Sequence, residues 1–137
     1  MVTVERYHDI SCGHRVYGHE SKCAHLHGHN YRITFTISGS LDSLGRVIDF
    51  GVIKSVLCAW LEENWDHKFL VWEDDPMVNV LKAIDGPGTV PVPFNPTAEN
   101  MAAHLVNVVA PKVLPANVLL IKCKVEETRK CSATYEL

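Results

Sequence analysis

The segment from residue 27 to residue 37 alternates between two kinds of side chain, and this alternation constrains the fold more than any other feature. One set is largely apolar and the other is polar. The first set contains His27, His29, Tyr31, Ile33, Phe35 and Ile37, and the second includes Asn30, Arg32, Thr34 and Thr36. Successive side chains of a strand point to opposite faces of a sheet, so the pattern predicts a half-buried strand with two histidines on its inward face.

Two helices are predicted after this strand. Asp49 can cap the first helix, whose apolar residues recur at the spacing of one helical face and which should end near Asn64. Thr97 can cap the second helix, and Pro111 should stop it. Between the two helices, the proline-rich residues 86–93 indicate an ordered loop with an extended edge segment.

Three further strands complete the predicted fold. A turn at residues 42–45 leads into a short partner strand at residues 46–49, a long strand covers residues 119–127, and residues 131–136 pair back as a hairpin. This order predicts one α+β domain over residues 1–137, with an antiparallel four-stranded sheet and two helices on one face. The two unpaired sheet edges predict assembly with other copies. The apolar face of the long strand is predicted to comprise Leu119, Ile121, Cys123, Val125 and Glu127.

Composition argues against several classes of function. The net charge is −3 and no basic run stands out, so nucleic-acid binding is not expected. No apolar stretch approaches the roughly 18 residues needed to cross a bilayer, and the first residues do not resemble a secretory signal. Five cysteines without paired spacing are typical of reduced thiols. We therefore expect a cytoplasmic protein that binds neither nucleic acid nor membranes.

Histidine is concentrated near the start of the chain. The chain has eight histidines, and six of them lie within the first 29 residues. Because His27 and His29 are two positions apart on a strand, both imidazoles can reach one ion. A catalytic zinc usually has three protein ligands and one open position. The candidates for the third ligand are His14, His19, His25 and Cys23.

Three other groups have chemistry that the residues alone leave open. Cys23 is either a fourth zinc ligand or a nucleophile or base. Asp66 and His67 are either a proton shuttle or a solvated loop dipeptide. Glu127, on the predicted inward face, either binds a planar, guanidine-like ring edge through two parallel hydrogen bonds or lies in solvent beyond the sheet.

Six motifs, taken in order, resemble those of the 6-pyruvoyltetrahydropterin synthase family. They are His14, residues 23–31 (CAHLHGHNY), residues 47–50 (VIDF), residues 65–70 (WDHKFL), residues 95–100 (NPTAEN) and residues 125–128 (VEET). No single motif is specific, but together they extend over nearly the whole chain. Three residues separate Cys23 from His27, a spacing that resembles the bacterial branch, the 6-carboxytetrahydropterin synthases of queuosine biosynthesis.

The resemblance implies a tunnelling fold (T-fold). In that fold the sheets of a trimer form a β-barrel, and two trimers stack into a homohexamer with active sites between subunits. For this chain the resemblance implies zinc bound by His14, His27 and His29, proton abstraction by Cys23, a relay through Asp66 and His67, and a pterin anchored by Glu127. It gives His19 and His25 no role.

The implied reaction is the zinc-dependent conversion of 7,8-dihydroneopterin triphosphate to 6-carboxy-5,6,7,8-tetrahydropterin, with release of acetaldehyde and triphosphate. Two alternatives stay open: a pyruvoyl-type synthase, which only eliminates triphosphate, and a non-catalytic zinc-binding module. The number of protein ligands on the zinc distinguishes such a module from an enzyme. A module would close a four-ligand site with Cys23, whereas an enzyme would keep three histidines and an open position.

Overall fold

A six-stranded mixed sheet organises the computed structural model, which describes residues 1–137. In chain order the strands are β1 Thr3–His14, β2 His27–Gly39, β3 Phe69–Trp72, β4 Thr89–Val92, β5 Val118–Glu126 and β6 Ser132–Glu136. Across the sheet their order is β4-β3-β1-β2-β5-β6. The predicted α+β class is confirmed, but the prediction of a four-stranded antiparallel sheet is wrong.

Strand β1 is the long element that the sequence pattern did not indicate. It pairs antiparallel with β2 along its whole length, from Thr3 opposite Ser38 to His14 opposite His27. Residues 5–9 carry charged groups, a histidine and a tyrosine, so neither face of this half of the strand looks apolar. Pairing with β2 therefore outweighs a weak local signal, as tertiary context often does in sheets.

The predicted partner strand at residues 46–49 is wrong, because a carboxylate folds this segment into a turn. The Asp42 side chain accepts hydrogen bonds from the backbone N–H groups of Leu44 and Arg46, both at 2.9 Å, and from Arg46 Nε at 2.9 Å. An aspartate that satisfies nearby backbone donors in this way competes with strand pairing.

Strands β3 and β4 make the sheet mixed. Residues Gly13 and His14 of β1 pair in parallel with Phe69 and Leu70 of β3, and β3 pairs in parallel with β4 at the edge. The expected extended edge segment in the proline-rich region is therefore confirmed as β4. Each strand has four residues, which is too short to produce a recognisable alternation.

Three helices accompany the sheet. Helix α1 covers residues 50–64, helix α2 is Val78–Ile84, and helix α3 covers residues 98–113. Helices α1 and α3 each consist of three consecutive segments with a π-helical middle: Phe50–Ile53, Lys54–Cys58 and Ala59–Asn64, then Ala98–His104, Leu105–Val109 and Ala110–Val113. The prediction of two helices therefore holds for α1 and α3 and omits α2.

Both predicted helix caps are confirmed. The Asp49 carboxylate accepts from the N–H of Gly51 at 2.8 Å, and the Thr97 hydroxyl accepts from the N–H of Asn100 at 3.1 Å. The prediction that Pro111 stops the second helix is wrong. It lies in the first turn of the last α-helical segment, where a proline's missing N–H is tolerated.

The core lies between one face of the sheet and helices α1 and α3. Ile33, Phe35 and Ile37 of β2 are fully buried there, as the alternation predicts. On β5 the prediction of inward-facing residues is correct for Cys123 and Val125, which are buried. It is wrong nearer the start of the strand, where the pairing with β2 skips one residue. Thr36 lies opposite Lys122 but Ile37 lies opposite Leu120, so Leu120 replaces Ile121 in the core and Leu119 is exposed.

None of the helices has the length and apolar character needed to span a membrane.

The Asp49 cap gives a test of the local folding of α1. Replacing Asp49 with Ala removes the acceptor for the Gly51 N–H and should lower the free energy of unfolding by about 1 kcal/mol. Urea unfolding followed by circular dichroism measures the change. Glu63→Ala, an exposed residue of the same helix, is the control and should change stability by less than about 0.5 kcal/mol.

Candidate active site

The three histidines predicted as metal ligands meet at one end of the β1–β2 pair. His14 ends β1 directly opposite His27, which begins β2, and His29 follows two residues later on the same face. One ring nitrogen from each comes within 4.8 Å of the others. Of the four candidates for the third ligand, the geometry thus selects His14. His19 instead accepts from the backbone N–H of Ser21 through its Nδ1.

Backbone carbonyls orient two of the imidazoles. Nδ1 of His14 lies 2.6 Å from the carbonyl oxygen of Pro96, and Nδ1 of His27 lies 2.8 Å from that of His25. A carbonyl can only accept, so each Nδ1 carries the proton and donates it. Each Nε2 therefore presents a lone pair, the arrangement usual for metal-bound histidine.

The cluster fits a divalent metal ion such as zinc. The Nε2 atoms of His14, His27 and His29 are buried and have no hydrogen-bond partner. Buried polar atoms without partners are costly, and a metal ion would satisfy all three at once. Burial lowers the pKa of His14 to about 4, opposed by the Pro96 carbonyl and assisted by the two neighbouring histidines. Burial also lowers the pKa of His29, so both rings are neutral near pH 7, as metal binding requires.

Tyr31 lies beside the cluster and had no role in the sequence prediction. Its ring meets those of His14 and His29 edge-on, with centroids 5.8 and 5.4 Å apart. Its hydroxyl is buried without a hydrogen-bond partner. Burial raises the pKa of this hydroxyl, and the nearby Glu127 carboxylate raises it further. Glu127 therefore lies close enough to Tyr31 for its charge to act on the hydroxyl.

Cys23 stands apart from the cluster of ligand atoms. It lies in a single 3₁₀ turn, Lys22–Ala24, and is partly buried. Its thiol is not among the ligand atoms that come within 4.8 Å of one another. The gathered ligands are therefore three histidines, which leaves a fourth position available on a tetrahedral metal.

Asp66 and His67 contact each other as predicted. Oδ2 of Asp66 lies 3.0 Å from Nδ1 of His67, and Oδ1 accepts from the N–H of Ser11 at 2.9 Å. His67 has φ of 58°, a left-handed conformation that is unfavourable for a non-glycine residue, and its side chain is 80% exposed. The carboxylate thus holds an imidazole that projects into solvent.

This pair does not join the histidine cluster within one chain. Asp66 and His67 line a polar cleft of about 820 Å³ together with Ser11, Asn30 and Arg32. Asn30 alternates with His29 and Tyr31 along β2, so the cleft lies on the opposite face of the sheet from the cluster. None of His14, His27 and His29 lines this cleft.

Glu127 lies at the edge of the histidine cluster. It follows the last residue of β5, and its N–H donates to the carbonyl of Cys131 across the hairpin turn. Its Oε2 is 3.8 Å from Nε2 of His29, and its side chain is 25% exposed. The carboxylate also lines a depression of about 190 Å³ with Glu99, Cys131 and Ser132. The Glu127 side chain is thus neither fully buried nor fully solvated.

Solved structures share this fold. An uncharacterized protein from Wolinella succinogenes superposes with a TM-score of 0.84 at 24% identity, covering 98% of this chain and 97% of its own. The 6-pyruvoyl tetrahydropterin synthase of Caenorhabditis elegans superposes with a TM-score of 0.71 at 25% identity, covering 99% and 95%. The mixed sheet, the helices on one face and the histidine cluster define this chain as a domain of the pterin-synthase type of tunnelling fold.

Sequence comparison gives the family. Residues 3–137 match the family model described as 6-pyruvoyl tetrahydropterin synthase. A protein of Rickettsia typhi named 6-carboxy-5,6,7,8-tetrahydropterin synthase is 38% identical over 134 residues, which cover 96% of this chain and 97% of the relative. A Halobacterium salinarum protein with the same name, qualified as probable, is 38% identical over 125 residues, or 90% and 79% of the two chains. The chain belongs to the 6-pyruvoyl tetrahydropterin synthase family.

The cluster gives a direct test of metal binding. His27→Ala removes one of the three converging nitrogens and should abolish most zinc binding, measured by elemental analysis of the purified protein. The core that helices α1 and α3 form with the sheet does not involve the metal, so the variant should remain folded.

His25→Ala is the matched control for this test. It removes a neighbouring imidazole outside the cluster but keeps the backbone carbonyl that orients His27, so zinc content should be unchanged. Full zinc occupancy in His27→Ala would refute the assignment of the ligands.

Proposed function

We propose that this protein converts 7,8-dihydroneopterin triphosphate to 6-carboxy-5,6,7,8-tetrahydropterin, releasing acetaldehyde and triphosphate, as a zinc-dependent lyase of queuosine biosynthesis. Relatives that are 38% and 39% identical over nearly the full chain carry the name of this activity. The observation that carries the proposal is the open cluster of three unpartnered histidine nitrogens with the Glu127 carboxylate 3.8 Å from one of them.

The proposed reaction is balanced without an external oxidant. One water replaces the triphosphate, and the carbon–carbon bond of the side chain breaks to release acetaldehyde. The side-chain carbon left on the ring becomes a carboxylate while the C=N bond of the dihydropterin ring is reduced. The protein must therefore bind the pterin and move protons on and off the side chain.

His14, His27 and His29 are the proposed zinc ligands. Zinc bound there would act as a Lewis acid that makes the side-chain hydroxyls of the substrate more acidic. The histidines contribute neutral nitrogens whose direction is set by the Pro96 and His25 carbonyls. The position of Cys23 outside the ligand set argues against a closed, non-catalytic zinc module.

Glu127 is proposed to anchor the pterin ring. An ionised carboxylate accepts two parallel N–H donors, which the aminopyrimidinone edge of a pterin supplies. Such an anchor at the edge of the cluster would direct the side chain of the substrate towards the histidines. The depression beside Glu127 gives the ring edge access to the carboxylate.

Cys23 is proposed to abstract the carbon-bound proton, with Asp66 and His67 as a proton relay. Because the Asp66–His67 pair lies on the other face of its own sheet, we propose that it serves the site of a neighbouring subunit. An exposed imidazole held by a carboxylate in a strained backbone conformation suits that role.

The proposed assembly is a cytoplasmic homohexamer, a dimer of trimers with active sites at the subunit interfaces. Two long strand edges support it. Strand β1 pairs with β3 only at Gly13 and His14, and Asp66 and His67 bind the backbone of Ser11, so its edge at residues 3–10 has no strand partner. Strand β6 forms the opposite edge of the sheet. Unpaired edges of this length are usually covered by another strand.

Product analysis tests the proposed reaction. Zinc-loaded protein incubated with 7,8-dihydroneopterin triphosphate should yield 6-carboxy-5,6,7,8-tetrahydropterin and acetaldehyde by mass spectrometry. A product that retains the full carbon side chain would instead indicate the pyruvoyl-type reaction, and no pterin product would overturn the proposal. As a control, Cys23→Ala should retain zinc and substrate binding while kcat falls by about 10²-fold or more, the scale of general-base catalysis.

Substrate affinity tests the role of Glu127. Glu127→Gln keeps the shape of the side chain but replaces an acceptor with a donor, and should weaken binding by about 1 to 3 kcal/mol with unchanged zinc content. The matched control is Glu63→Gln, which makes the same change at an exposed residue of helix α1. Equal affinities for the two variants would exclude Glu127 as the anchor.

A further inference from the structure

Arg15 connects three parts of the chain around the turn that carries Cys23. Its Nε and Nη2 donate to the Asp75 carboxylate at 2.6 and 3.1 Å, and its Nη1 donates to the carbonyl of Ala24 at 2.9 Å. Ala24 is the residue directly after Cys23. One guanidinium thus links the start of the loop between β1 and β2 to the turn at its far end and to the segment that follows β3.

Asp75 is a rigid anchor for this guanidinium. Its side chain has no exposed surface, and that of Arg15 is only 16% exposed. Oδ1 of Asp75 also accepts from the N–H of Met77 at 2.8 Å, and the N–H of Asp75 donates to the carbonyl of Trp72, the last residue of β3. These bonds hold the Asp75 carboxylate in place relative to the sheet independently of Arg15.

Hydrogen bonds, and not packing, fix the Cys23 turn. The 3₁₀ turn Lys22–Ala24 has no buried residue. The N–H of Val16 donates to the carbonyl of Cys23 at 2.9 Å, while Asn95 binds both backbone groups of Tyr17 at 3.0 and 2.9 Å. With so little apolar contact, the turn depends on these bonds and on the Arg15 bond to Ala24 for its position.

We infer that Arg15, held by Asp75, is a positioning residue that keeps the Cys23 thiol in place for proton transfer. The inference rests on the role proposed above for Cys23. Proton transfer requires the donor and acceptor atoms to be within hydrogen-bond reach, and a displacement of about 1 Å can cost about 10²-fold in rate. A loose turn would spread the thiol over many positions, most of them unproductive.

The geometry requires an arginine at this position. A guanidinium offers donors that diverge in a plane, so it can bind a carboxylate with two atoms and a carbonyl with the third. A lysine can keep the ion pair with Asp75, but its single nitrogen cannot reproduce the three directed bonds. Arg15→Lys therefore keeps the positive charge at this position but removes the directed hydrogen bonds that hold the turn.

The kinetic arm of the test uses two variants of the zinc-loaded full chain. Arg15→Lys should lower kcat by about tenfold or more with KM and zinc content near wild type. Removing Arg15 alone would leave a buried, unpaired charge on Asp75 and destabilise the fold. The double variant Arg15→Leu/Asp75→Asn instead removes both charges together and keeps an acceptor for the Met77 N–H. It should fold and show the same loss of kcat. A purely structural pair predicts wild-type kcat in the folded double variant, and that result would overturn the inference.

The second arm needs no turnover. Alkylation of Cys23 by iodoacetamide, followed by mass spectrometry, should be about fivefold faster in both variants because a released turn exposes the partly buried thiol. Exposed Cys131 in the same samples should react at an unchanged rate, and Arg46→Leu, which removes an exposed arginine paired with Asp42, should leave Cys23 at the wild-type rate.

The two arms separate this inference from the proposed function. If wild-type protein shows no turnover, the proposed function fails and the alkylation rate alone decides whether Arg15 holds the turn. Unchanged alkylation of Cys23 in both variants would overturn the inference whatever the kinetics. Faster alkylation with unchanged kcat would equally overturn it, because the turn would then move without affecting catalysis.

Discussion

The full-length pairing of β1 with β2 is the constraint on which the rest of the structure depends. Its register places His14 opposite His27, so two histidines at the two ends of the β1–β2 loop become direct neighbours. A slip of one residue would turn His14 to the polar face of the sheet and leave two histidines without a third. The same register buries Ile33, Phe35 and Ile37 beneath helices α1 and α3. Core packing and the geometry of the histidine cluster are therefore specified by the same set of backbone hydrogen bonds.

The segment that begins α3 connects the fold to the site in a second way. The Thr97 cap fixes the start of the helix, and the preceding residue, Pro96, presents its carbonyl to Nδ1 of His14. Asn95, the residue before Pro96, binds the backbone of Tyr17 in the loop that leads to Cys23. These three consecutive residues thus cap a helix, set the tautomer of His14 and hold a loop. A proline suits the middle position, because its fixed φ stiffens the chain where the carbonyl must point.

The sequence predicted the parts of the molecule that local patterns encode. The β2 alternation, the Asp49 and Thr97 caps and the shared face of His27 and His29 are all properties of neighbouring residues, and all are confirmed. Strand β1 and the position of His14 beside His27 and His29 depend on pairing between separate segments, which periodicity does not report. The residues of β5 that face the core were mispredicted near the bulge opposite Thr36, because a bulge is also a property of strand pairing. Arg15 and Asp75 were missed because their bond joins residues 60 positions apart in the chain.

The distribution of chemistry over the two sheet faces has a physical reason. The inward face must be largely apolar, and it tolerates the three histidines only because burial keeps His14 and His29 neutral and because a metal can satisfy their nitrogens. A charged, mobile proton carrier does not fit there. Asp66 and His67 lie on the polar face, where the imidazole is in contact with water. The two kinds of group lie on opposite faces of one sheet. The proposed reaction can therefore use both at one substrate only where the polar face of one copy meets the histidine cluster of another, which makes assembly part of the proposal for the reaction.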